Sequence, residues 1–149
     1  MHLSGNIMFL LVAALSGMAM AIQGSMNSAL GKALGISQGI FSVHASATLM
    51  MLIILGSGLP KGGNWSNYTS LPWFYFLGGI IGVAITYGVV VSIPKLGASI
   101  ATTAIIVGQV LTACLIDHFG LFGLERSPMN WLKLLGLVLV AIGSKLLLN

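Results

Sequence analysis

Residues 1–31, MHLSGNIMFLLVAALSGMAMAIQGSMNSALG, contain no Asp, Glu, Lys or Arg. Such a run holds one membrane-spanning helix, which needs about 20 predominantly apolar residues, and is too short for two. Working outward from Lys32, the next charge-free runs are 33–60, 62–94 and 96–116. Each holds one further helix by the same measure. The only formal charges are Lys32, Lys61, Lys95, Asp117, Glu125, Arg126, Lys133 and Lys145. They make up 5% of the 149 residues, against 57% hydrophobic residues, whereas a soluble domain carries about 25% charge. The chain cannot cover a water-facing surface. It is predicted to be an all-α integral membrane protein, a single transmembrane domain over residues 1–149, with the lipid bilayer as its solvent.

The same distribution excludes other classes. The net charge is +4, but the basic residues stand singly between apolar runs, with no basic patch and no stacking aromatics, so no nucleic-acid partner is expected. Cys114 is alone in an apolar run, which leaves it a packing residue with no disulfide framework or Cys-rich metal site. Ala19-Met20-Ala21 resembles a secretory cleavage site, yet no Lys or Arg precedes it and the later spans would remain, so the first segment is expected to be a span.

Five helices are predicted, at about 5–30, 37–55, 72–93, 98–116 and 129–148. Gly31 and Gly35 are expected to end the first. The polar connection from Gly56 to Leu71 carries Pro60, and its Asn64-Trp65-Ser66 and Asn67-Tyr68-Thr69 match glycosylation sequons by composition alone. Pro72 suits a first helical turn, and Pro94 is expected to end the third helix at Ile93. The short link Pro94-Lys95-Leu96-Gly97 makes helices 3 and 4 antiparallel neighbours. Ser127-Pro128 reads as a cap followed by a first-turn proline. The fifth helix has an uninterrupted core of only Leu134 to Ser144, so it spans only if Lys133 and Lys145 stretch their ammonium groups toward the two interfaces. Trp131 is expected to anchor its start.

With five spans, the side of the N-terminus holds Lys61, Arg126 and Lys133, and the other side holds Lys32, Lys95 and Lys145. Orientation is normally set by a cytoplasmic excess of Lys and Arg, and three against three supplies none. The expectation is insertion in both orientations and pairing as an antiparallel homodimer, or with a paired homologous subunit. Inverted repeats of this kind are common in secondary transporters, whose sites lie near the midplane. A fixed orientation set by folding or by a partner is the alternative. Trp65, Trp73 and Trp131 all fall on one side, and an antiparallel pair turns them into two aromatic belts.

Lipid tails give helices no hydrophobic drive to associate, so small residues mark contacts. Ala13, Gly17 and Ala21, then Gly78 and Gly82 with Gly79 beside them, then Ala104, Gly108 and Thr112 are the candidate packing stripes. Ser16, Gln23 and Asn27 share a face of helix 1, and Thr102 and Gln109 share one in helix 4. A buried amide needs partners; these groups either bond between helices or line a polar cavity. His44 lies inside a span, and histidine changes charge near neutral pH. It is either a neutral side chain bonded across helices, for instance to a serine, or part of a proton or substrate path. Tyr87 either lines that path or packs. Asp117 and His118 lie where helix 4 leaves the membrane: Asp117 pairs with Arg126 or Lys133, or the two residues capture a proton or cation at a cavity mouth. No carboxylate lies mid-span. No phosphate loop, metal cluster or nucleophile–base motif is present, so no enzyme activity, metal or cofactor is expected.

Several segments together resemble a known family. Gln23-Gly24-Ser25-Met26-Asn27-Ser28-Ala29-Leu30-Gly31 is similar to the first helix of the YdcZ-like inner-membrane exporters. So are Gly78-Gly79-Ile80-Ile81-Gly82, Pro94-Lys95-Leu96-Gly97-Ala98, Val107-Gly108-Gln109, Ile116-Asp117-His118-Phe119-Gly120, and Leu135-Gly136-Leu137 with Gly143. The resemblance covers nearly the whole chain. It implies a bacterial inner-membrane, five-helix half-transporter of the drug/metabolite transporter superfamily, working as a dimer. The superfamily's small multidrug resistance branch couples through a glutamate in its first helix, and this chain has only Gln23 and Asn27 there. The family pattern favours a glycine near Ser46, so helix 2 is expected to pack less closely here. The expected function is export of a small metabolite or organic solute by alternating access. A passive dual-topology channel and a non-transporting subunit of a larger complex are the alternatives.

Overall fold

The computed structural model describes residues 3–58 and 63–147; Pro60 and Lys61 lie outside them. All regular structure among these residues is helical: α1 (Leu3–Leu34), α2 (Ile36–Gly56), α3 (Gly78–Leu96), α4 (Ala98–Phe119) and α5 (Trp131–Leu147). Two 3-10 turns, Trp65–Ser70 and Trp73–Leu77, precede α3, and a third, Leu121–Gly123, follows α4. Asn64 caps the first of these, its side chain accepting from Ser66 N at 3.1 Å.

Four segments are long and apolar enough to cross a membrane: Ile7–Leu34, Ile36–Gly56, Trp73–Leu96 and Ala98–Phe119. The fifth helix, α5, does not reach this measure among the described residues. α5 has 17 residues, about 26 Å at 1.5 Å per residue, against a hydrocarbon thickness of roughly 30 Å. It starts late because Asn130 Oδ1 accepts from Lys133 N at 2.8 Å, the bond of an N-cap. Ser127 and Pro128 therefore precede the helix rather than open it. Lys133 Nζ reaches back to Ser127 O at 2.9 Å and Ser127 Oγ at 2.7 Å. Its ammonium thus leaves the helix toward the start, as a snorkelling lysine does.

Other boundaries also move. Gly31 lies inside α1, and Gly35, at φ 97°, makes the turn into α2. Pro72 opens a 3-10 turn, with Tyr75 N bonding Pro72 O at 3.1 Å, rather than the α-helix itself. Pro94 lies within α3, which continues to Leu96. So near the helix end its missing N–H forfeits a single ladder bond. Gly97, at φ 83°, alone separates α3 from α4. α4 runs to Phe119 and is closed by left-handed Gly120, whose N–H bonds Asp117 O at 3.3 Å.

The helices group into two compact units, residues 1–94 and 95–149. In the first, α1 and α2 cross where both lack side chains. A Cβ on Gly39 would stand 3.0 Å from Gly31 Cα, and one on Gly31 would stand 2.5 Å from Val90 Cγ1 of α3. Gly24 is approached likewise by Val89 and Ile93. Away from this crossing the hairpin is open: Ile7 to Met20 of α1 and Ala45 to Gly56 of α2, Ser46 included, are exposed. In the second unit, α4 presents the half-buried stripe Val107, Val110, Cys114 and Asp117 below buried Thr103, and α5 presents Lys133, Leu137, Val140 and Ser144. Both stripes follow helical spacing.

Candidate solute cavity

The first unit contains an open cavity of about 850 Å³ between α2 and α3, in whose lining Phe41, Ile80 and Tyr87 remain exposed. Ser37, Ile40, Phe41 and His44 line it from α2, and Ile80, Val83, Ala84 and Tyr87 from α3. Each set follows i, i+3, i+4, i+7, so each helix contributes one continuous face. The two helices run antiparallel. Gly39 and Val90 both sit on Gly31, while His44, further along α2, faces Gly82 and Thr86, earlier on α3. The lining is apolar except for the Ser37 and Tyr87 hydroxyls and the His44 imidazole, and none of its side chains is a Lys, Arg, Asp or Glu.

His44 lies two residues from the midpoint of α2. Its Nε2 is 3.3 Å from Thr86 Oγ1, and Thr86 Oγ1 donates to Gly82 O at 2.9 Å. The imidazole passes beside Gly82, where a Cβ would meet His44 Cε1 in ordinary contact at 3.7 Å. His44 thus contacts α3 through a threonine and lines the cavity.

The other candidates are scattered. Gln23 is exposed on α1 and Asn27 half-buried at the edge of the Gly24–Ser28–Gly31 face. Thr102 is half-buried and Gln109 exposed on α4. Neither glutamine side chain has a hydrogen-bond partner among the described residues. Gly17, Gly78 and Gly108 have no neighbour within 4 Å of a Cβ position, and only Gly82 of the four expected packing glycines meets one. Close approach occurs instead at Gly24, Gly31 and Gly39, outside the expected packing stripes.

In the second unit His118 and Asp117 organise the α4–α5 connection. His118 Nδ1 accepts from Met129 N at 2.9 Å, and His118 O accepts from Arg126 Nε at 3.0 Å. Asp117 contributes its backbone carbonyl, which accepts from Ser127 N at 2.8 Å. Arg126 and Lys133, the expected partners of the Asp117 carboxylate, donate to His118 and Ser127 instead.

Comparison with known families adds the decisive observation. The family model described as "Putative inner membrane exporter, YdcZ" matches residues 8–146. The chain belongs to the YdcZ family. Its apolar helices and this membership make it a multi-pass protein of the inner membrane. No curated protein and no solved structure matches the chain.

Proposed function

We propose that the chain is a secondary transporter, not an enzyme, that exports a small metabolite or organic solute by alternating access, with the α2–α3 cavity as its solute site. The carrying observation is the cavity itself: about 850 Å³, apolar, with His44 and Tyr87 among its few polar groups. That volume suits a small organic ligand, and a position midway along spanning helices is where transporter sites lie.

The working unit in this proposal is an antiparallel homodimer of half-transporters of the drug/metabolite type. The exposed amides of Gln23 and Gln109 support a covering partner or a polar path. An unpaired amide facing hydrocarbon costs roughly 2–7 kcal/mol. The even split of basic residues supports insertion both ways, provided that α5 crosses.

The test is solute flux in proteoliposomes. Ala84→Trp projects an indole into the cavity and is expected to lower flux while the protein still assembles. Undiminished flux would remove the cavity from the mechanism. Flux that only dissipates a gradient, without exchange, would make the protein a channel. Single-cysteine labelling in a Cys114→Ser background reads orientation; one uniform orientation ends the antiparallel model.

A further inference from the structure

Thr86 has one hydroxyl proton and two neighbours able to take it, Gly82 O at 2.9 Å and His44 Nε2 at 3.3 Å. The shorter contact is the back-bond a helical threonine makes to the carbonyl four residues earlier. With its proton there, the Thr86 oxygen can only accept from His44, so Nε2 carries a hydrogen and donates. A neutral imidazole has one N–H and one lone pair. The lone pair is therefore on Nδ1, which has no hydrogen-bond partner among the described residues, on a ring that lines the cavity.

The surroundings restrict what this acceptor can meet. Residues 1–94 contain no Asp or Glu. The titratable groups on the neighbouring elements are Lys32 in the last turn of α1, Tyr87 and Lys95 on α3, and Tyr68 and Tyr75 in the 3-10 turns; of these only Tyr87 lines the cavity. With no carboxylate in its lining, the cavity offers a cationic solute no paired site.

We infer that the cavity takes an uncharged, largely apolar solute bearing an N–H or O–H donor, and that this donor and a proton compete for the lone pair of His44 Nδ1. The inference rests on the cavity being the solute site. When the solute leaves, Nδ1 is free to bind one proton; when that proton leaves as H⁺, the acceptor returns. Solute-bound and protonated forms exclude each other at one atom, which is the condition for exchanging one solute against one proton.

The test uses 2-phenylindole, an uncharged apolar probe with one N–H, and its N-methyl analogue, which has no donor. Binding is measured on protein in nanodiscs, with empty nanodiscs as blank, at about pH 8 and about pH 5.5. At the higher pH 2-phenylindole is expected to bind about fivefold more tightly than its analogue, the factor a hydrogen bond of about 1 kcal/mol confers. At the lower pH that preference disappears. In His44→Gln, whose amide accepts but takes no proton, the preference persists at both. Ala84→Trp, which projects an indole into the cavity, weakens binding of both probes. Equal binding of the probes at the higher pH, or a wild-type preference that survives acidification, overturns the inference and leaves the cavity reading standing. Binding in Ala84→Trp equal to wild type overturns the cavity reading and this inference with it. If His44→Gln fails to assemble, the wild-type comparison of two probes at two pH values still decides.

Discussion

The two compact units hold their helices by different means. In residues 1–94 the contacts form where side chains are missing: Gly31 against Gly39, with Val90 over Gly31 and Val89 and Ile93 over Gly24. In residues 95–149, α4 and α5 are joined at their connection by polar bonds, from Met129 N to His118 Nδ1, from Ser127 N to Asp117 O and from Lys133 Nζ to Ser127. Lipid removes the hydrophobic drive between helices, and close backbone approach and hydrogen bonds are what remain. The first unit uses approach at one end of a hairpin, which leaves the rest open and allows a cavity. The second uses a latch, which fixes two helices at their connection.

The largest effect should come from the glycine contact. A Cβ on Gly31 would stand 2.5 Å from Val90 Cγ1, a side chain only 3% exposed. Gly31→Ala is expected to destabilise by about 2 kcal/mol, within the range for overpacking. Adding Val90→Ala should recover part of that loss, because the two residues share one contact. Thermal unfolding in detergent reads both. Additive losses would mean that the first unit is not held at Gly31.

A smaller effect is expected at the latch. His118→Leu leaves the Met129 N–H without its acceptor at 2.9 Å. An unsatisfied backbone donor costs about 1–3 kcal/mol when buried, and His118 is only half-buried, so about 1 kcal/mol is expected. Amide exchange should quicken at Met129 and Ser127 and stay unchanged at Gly31 and Gly39. Equal quickening in both sets would show that the two units do not hold themselves separately.

What was legible in the sequence follows the same division. Charge spacing found the helices, because a charge inside hydrocarbon is costly wherever it occurs. His44 and Tyr87 stood out because polar groups mid-span are rare, and they share the cavity. Ser37, Ala84 and Thr86 did not stand out, because a small or apolar residue lines a cavity only once a second helix is placed opposite. Gly24, Gly31 and Gly39 were passed over for a similar reason: small residues recur on several faces, and spacing does not say which face meets a neighbour. Pro94 and Pro128 misled on boundaries, since a proline is tolerated in a last turn and Asn130 offered a better cap.

The smallest effect sharpens the comparison most. Gly17 lies in the open half of α1, between exposed Ile7 and Met20, with nothing within 4 Å of a Cβ position. Glycine in a helix interior costs roughly 0.5–1 kcal/mol relative to alanine. Within one chain, Gly17→Ala should therefore raise stability by about 0.5 kcal/mol, opposite in sign to Gly31→Ala on the same helix. A loss instead of a gain would mean that another helix covers this face in the assembled protein. Gly17 would then do between chains what Gly31 does within one, and the open half of the hairpin would be an interface rather than a lipid-facing surface.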